Sequence, residues 1–557
     1  MTDTAIVVCL LLAEFWAAAM AAPGIPGHAA QRPSLAAPAR RVLHGSNLDP
    51  LLAAARGLTT SNTAPAPNTQ AERKPPAARI DSRKTGQPAA QQPAKTRPKP
   101  AKKPPAPRTA APPEAPKLPS GPLEEDTGYR GIWYANQPSG DQYRFKYSGG
   151  LATYPQQHIP IAWYSPQAKK TFFVYGGRPP DANRLLHMVS YFDHQTGMVP
   201  RPRILLDKQT DDAHDNPTLA VDDAGFVWVF SNAHGTGRPA FLCRSRSPLA
   251  IEAFDHLLTT NFSYSQPWYV PHDGFCFLHT RYTAGRRFLF VGYSADGRHW
   301  DGVLPLAQIQ QGHYQISCAQ GSRIATAMNY HPTAGGLNAR TNLYYLESPD
   351  GGRSWTNAQG QPLELPLTEV HNPALVHDYQ RQGLLVYLKD MGFDAQGRPV
   401  ILFLTSRHYA SGPEGDPRIW RTARWTGSRW EIREAFSSDH NYDFGSLYLE
   451  PGQVWRVIAP TEPGPQPYNP GGEVVVWISR DQGISWQKAK QLTEHSRFNH
   501  TYIRRPVNAH PDFYALWADG DTREPSVSHL YFTDREGSHV WRLPANQDGP
   551  TRPEMVR

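Results

Sequence analysis

From Thr127 onward, short apolar runs rich in Tyr, Trp, Phe and Val alternate with clusters of Gly, Pro, Asp and Asn, and no stretch sustains the 3.6-residue period of an amphipathic helix. Such a pattern predicts an all-β domain built from many short strands.

The strands recur as paired units. A polar start, a short strand, a turn and a second aromatic-rich strand are found seven times, in units beginning at Gln157, His214, Tyr264, His313, His371, His440 and Asn499, with spacings of 57, 50, 49, 58, 69 and 59 residues. A repeat near 50 residues fits one four-stranded blade per unit, so the expected fold is a seven-bladed β-propeller, or six or eight blades if the first or last unit is not a true blade. Closure of the ring is expected from Tyr129–Tyr147 or from the C-terminal HLYFTD and HVWRLP strands. Three turns, SADGRHW at Ser294, SPDGGRSW at Ser348 and SRDQGISW at Ser479, read as Asp boxes, in which Asp and Gly shape a hairpin turn and Trp wedges between blades. They mark the rim and are structural.

The first quarter follows different rules. Residues 23–125 are dominated by Ala, Pro, Gln, Lys and Arg, and can bury too little apolar surface to offset the entropy of ordering. They are expected to form a disordered, semi-extended linker, with the propeller domain spanning 126–557. Residues 1–22 contain an apolar run, Ala5 to Leu12, followed by small residues that suit signal-peptidase cleavage, although the MTDT start lacks Lys and Arg. This predicts a signal peptide, not a membrane span, and a secreted or periplasmic location. The linker holds 16 Lys plus Arg against 6 Asp plus Glu, which accounts for the whole-chain charge of +8 and leaves the folded part close to neutral. Because no aromatic residues interleave with that basic stretch, it suggests contact with an anionic cell surface and not a nucleic-acid site.

In a propeller the start of each innermost strand and the end of the next lie side by side at one mouth. This convergence gathers His158, His214, Asn216, His234, Tyr264, Arg281, Tyr330, His371, His440, Glu462 and His500. His and Asn at such positions can equally cap turns between blades. His214 and His234, brought together across one hairpin, are the strongest candidates for chemistry. Imidazoles and a phenol can exchange protons, and a guanidinium pairs with a carboxylate in two-point fashion. A reaction needing all three is β-elimination from a uronic acid, in which the C5 proton becomes acidic once the neighbouring carboxylate is neutralised. No cofactor is required for it. A structural Zn2+ or Ca2+ is compatible, with Cys276, Cys318 and His272 as candidate ligands, His279 beside them, although buried inert thiols are the favoured reading of the cysteines.

The motifs HDNPTL at His214, SNAHG at Ser231, YSQPW at Tyr264, FLHTRYTAGRR at Phe277, HNYDFGSLY at His440, PTEPGPQPYNPGGE at Pro460, NHTYIRRP at Asn499 and FYALWADGD at Phe513 resemble the BNR-repeat family of secreted propellers. Within that family they are similar to ulvan-lyase-type polysaccharide lyases. The resemblance covers roughly residues 129–544 and implies an acidic polysaccharide substrate. It also implies His214 and Tyr264 as base and acid, His234 with Arg281 against the carboxylate, and Tyr330 as a substrate contact. Two rival expectations are a sialidase-like glycoside hydrolase using Glu462 and Asp519, and a propeller that binds glycans without turnover.

Overall fold

The computed structural model describes residues 116–151 and 157–557. The expected signal peptide and most of the linker lie outside the described residues.

Seven antiparallel sheets follow one another along the chain as blades 1 to 7, at residues 162–207, 217–260, 263–307, 315–377, 385–438, 446–491 and 499–555. Every blade takes its four strands from one contiguous stretch, so the expected HLYFTD and HVWRLP strands complete blade 7 itself. The blades pack through aromatic side chains. Phe230 of blade 2 lies 4.9 Å from Phe277 of blade 3, and Phe436 of blade 5 stacks on Trp477 of blade 6 at 4.6 Å.

The Asp-box turns join the third and fourth strands of blades 3, 4 and 6. In each, the Ser hydroxyl accepts from the Gly amide and the Asp carboxylate accepts from later backbone amides. Gly297 takes a φ of +70°, and a Cβ there would sit 2.4 Å from the buried Trp228 ring, so only glycine closes this turn without a clash. Blade 7 carries a fourth such turn, where Asp534 accepts from the Ser538 and His539 amides.

Two details depart from the sequence reading. Residues Ser120–Pro122 and Glu124–Glu125, expected in the linker, form outer strands on blades 2 and 1. The fifth unit was also read one strand early. Leu375–His377 is the outermost strand of blade 4, and Leu385–Phe393, taken for a second strand, is the innermost strand of blade 5. Finally, Trp133–Pro138 and Phe145–Gly150 form a hairpin that belongs to no blade. It is tied to the loops of blades 5, 6 and 7 by bonds from Ser411, from Asn469 and to Asp521 and Thr522. No helix among the described residues is long and apolar enough to cross a membrane.

Candidate active site

Strand starts and ends converge at one mouth, as a propeller requires, and the free hairpin covers one side of it. Asp212 organises the cluster. It caps the short 3-10 turn Ala213–Asp215 that leads into blade 2, which fixes His214 in place. His234, at the end of the partner strand, stacks on His214 with ring centroids 3.9 Å apart and planes 17° apart. One Asp212 oxygen lies 2.5 Å from His214 Nδ1, and the other lies 2.8 Å from His234 Nδ1. Arg238 then bridges Asp212 and the fully buried Asp215, with Lys208 Nζ 3.4 Å from Asp215. Burial alone would raise the Asp212 carboxyl, but the two imidazoles hold it well below the usual carboxylate range.

With Nδ1 directed at Asp212, Nε2 of His214 faces Tyr147 of the hairpin at 3.2 Å, while the Tyr134 hydroxyl lies 3.2 Å from Nδ1. Burial, and the nearby His234, lower His214 to about 4, so this imidazole is neutral near pH 7.

Tyr264 stands 6.2 Å from His214, edge to face. It occupies a bulge that breaks the strand register between Ser263 and Gln266, with a φ of +52° that a β-strand residue rarely adopts. Its backbone is held by Asn232, which bonds both the neighbouring Ser265 and the Asn216 carbonyl. Tyr282 neighbours Tyr264, and its hydroxyl accepts from Arg287 Nε at 3.0 Å. Beyond Tyr264 come Tyr314, 5.3 Å away, and Arg340, whose guanidinium lies over the Tyr314 and Tyr387 rings at 4.7 Å each and donates to Tyr442. Lys146 of the hairpin lies on the same side but is largely uncharged near pH 7. Burial, with Arg340 and then Arg287 nearby, brings its amine down to about 6. The mouth thus has a side of stacked imidazoles on a carboxylate and a side of guanidinium groups among phenols.

Of the residues expected here, His214, His234, Tyr264, Asn216 and His158 come together. Asn216 donates to the Leu151 carbonyl. His158 is buried against Tyr264 at 5.4 Å, and neither of its ring nitrogens has a hydrogen-bond partner among the described residues.

Others do not reach the cluster. Arg281 points the opposite way from its strand neighbour Tyr282, since successive side chains alternate; it donates to His279 and lies over Phe290. Tyr330 turns away likewise and donates to Gln380, leaving His331 to pack on Tyr314 at 4.8 Å. His371 sits beside the outer strand of blade 4 and pairs with Asp378. His440 is tied to Ser411 and to the Tyr442 amide, and His500 to Ser496 and Trp517, so both staple loops and strands. Glu462 forms an ion pair with Lys488, whereas Asp519 accepts from Tyr531 and His529, so neither is poised as one half of a carboxylate pair.

The cysteines follow the favoured reading of buried thiols and not the alternative of a metal site with His272. Cys276 and Cys318 are buried free thiols in the apolar core, raised by burial, while His272 is exposed beside Asp223. Among the described residues, metal-capable groups occur instead at Asp212, His214 and His234, where the Nδ1 atoms are already engaged by the carboxylate, and at His194, His510 and Asp512.

Asp212, Tyr147, Tyr282, Arg287 and Arg340 were not anticipated. Asp212 was legible in DDAHDN as an acid two residues before His214. The others carry no local signal, because hairpin placement and strand parity bring them in.

Residues 161–437 match the BNR repeat-containing family. An ulvan lyase of Alteromonas sp. (strain LOR) is 20% identical over 363 residues, 58% of this chain and 72% of that protein. The ulvan lyase of Pseudoalteromonas sp. (strain PLSV) is 22% identical over 416 residues, 66% of this chain and 81% of its relative. A solved PL25 ulvan lyase bound to -[GlcA(1-4)Rha3S]- superposes with a TM-score of 0.58 at 17% identity, covering 74% of this chain and 96% of that one. The polysaccharide lyase Uly1 superposes at 0.52 with 11% identity, over 77% of this chain and all of that chain. Residues 161–437 therefore match the BNR repeat-containing family, and the chain is similar to the ulvan lyases in sequence and fold.

Proposed function

We propose that this protein is a polysaccharide lyase that cleaves a uronic-acid-containing glycan by β-elimination. The observation that carries the reading is the pairing of an Asp212-oriented neutral imidazole with phenols and buried cations at one propeller mouth. The similarity to ulvan lyases supports the same class.

In this reading the uronate carboxylate docks on the Arg340 and Arg287 side, which neutralises it and acidifies the C5 proton. Nε2 of His214 takes that proton, while Asp212 stabilises the imidazolium that forms. The C5–H electron pair becomes the C4–C5 double bond as the C4–O bond breaks, and the departing oxygen takes a proton from Tyr264, which the bulge in its strand holds at the mouth. Tyr147 beside Nε2 supplies a second phenol for proton return. Export through the residue 1–22 leader, and contact of the basic linker with an anionic surface, complete the proposal.

The test is growth of absorbance near 235 nm, the signature of an unsaturated uronate, on ulvan and other acidic polysaccharides. His214→Ala should abolish it and Glu462→Gln should leave it intact. Reducing ends released without absorbance growth, and lost in Glu462→Gln, would establish a hydrolase instead. Binding without product would establish a lectin.

A further inference from the structure

A propeller whose blades each use contiguous strands has no strand shared between its first and last blades, so the seam between blades 1 and 7 must be closed by other contacts. Here two backbone bonds join Val507 of blade 7 to Ala162 and Tyr164 of blade 1, and the C-terminal tail exchanges two more between Thr551 and Val199. Phe513 and Phe532 of blade 7 pack on Phe173 and Phe192 of blade 1.

At the turn side of this seam, away from the catalytic mouth, three donors meet. His194 lies in the turn between the third and fourth strands of blade 1, and His510 and Asp512 lie in the turn of the inner hairpin of blade 7. One donor atom from each lies within 4.8 Å of the others. The two imidazole rings are 4.0 Å apart at their centroids, with Tyr164 packed on both. Nε2 of His194 is 2.8 Å from the Thr171 hydroxyl, an arrangement that leaves Nδ1 as the bare nitrogen. That Nδ1 is buried and has no hydrogen-bond partner among the described residues. A ligand imidazole whose other nitrogen is fixed by an oxygen is the usual second contact of a metal-bound histidine. A cavity of about 680 Å3, lined by His194, Asp512, Asp534, Glu536 and His539 among others, opens beside His194 and Asp512.

We propose that His194, His510 and Asp512 bind one divalent transition-metal ion, of the zinc class, that clasps blade 1 to blade 7. Two imidazoles and one carboxylate favour Zn2+ or a neighbouring first-row ion over Ca2+, which prefers an all-oxygen shell. The ion would cross-link segments more than 300 residues apart in sequence, where closing the loop carries the greatest entropic cost.

The full-length protein, stripped with chelator, should bind one equivalent of Zn2+ by calorimetry, gain a few degrees in thermal midpoint with Zn2+ and none with Ca2+, and show a visible d–d band with Co2+. His510→Ala and, separately, Asp512→Asn should each remove the bound equivalent and the thermal gain. Asp212→Asn should keep both, which separates the seam from the other metal-capable group at the mouth. Asp512 is exposed, so its variant folds even if His510→Ala does not. Failure to bind Zn2+, binding that survives Asp512→Asn, or loss of it in Asp212→Asn would overturn the proposal.

Discussion

Replacing Asp212 with Asn tests whether the mouth is a proton-transfer site. The carboxylate serves two imidazoles at once, at 2.5 and 2.8 Å, and Arg238 at 2.8 Å. Asparagine keeps the shape but removes the charge, and its amide can donate to Nδ1, which shifts the proton of His214 towards Nε2 and blocks the base. A charge-assisted hydrogen bond is worth about 1.5–3 kcal/mol, so loss of imidazolium stabilisation alone should lower kcat by roughly 10- to 100-fold. The wrong tautomer adds to that. Arg238 retains Asp215, so the fold should survive. The assay is the initial rate of 235 nm absorbance growth on ulvan against pH, with thermal denaturation as control. With His214 at about 4, the wild-type acid limb attributable to this base should fall near pH 4 and not near pH 6.5. A folded Asp212→Asn protein with wild-type kcat would refute the assignment of His214 as an Asp-oriented base.

Three further outcomes are expected. Arg340→Gln should raise KM and lower kcat on an acidic glycan, because Arg340 belongs to the cationic side of the mouth, whereas Arg281→Gln should change rates little, because Arg281 faces Phe290; the reverse order would restore the sequence-based assignment. Acid stability should fall early: burial holds His158, His187, His331 and His440 far below 6.5 and His313 at about 4, so the unfolded chain binds protons that the folded chain does not. Stability is thus lost as pH falls from 6.5 towards 4, by up to about 1.4 kcal/mol per unit for each imidazole, before Glu450, at about 2, contributes. A thermal midpoint unchanged between pH 7 and 5 would contradict this. Gly297→Ala should cost about 2 kcal/mol, combining a left-handed φ with a Cβ pressed on Trp228, and equilibrium denaturation showing no loss would contradict the packing described for that turn.

Sequence alone determined the architecture and located the principal imidazole pair. Short aromatic strands, seven hairpin units and Asp boxes are local signals, written in turn chemistry and alternation, and a propeller repeats them often enough that one misplaced unit does not change the blade count. His214 and His234 were legible because one hairpin joins them over 20 residues. The rest depended on tertiary structure. Arg281 and Tyr330 were expected at the mouth from strand position, but side chains alternate, and the parity of one residue gives that place to Tyr282 and His331. The LVYLKD run reads equally as a first or second strand, so His371 was placed inside when it belongs to the rim. Arg287, Arg340, Tyr147 and Lys146 are separated in sequence by blade closure and by a hairpin outside the repeat, and no spacing rule connects them. Closing the ring is what brings them within reach of one another, because contacts between distant blades exist only once every intervening sheet has packed.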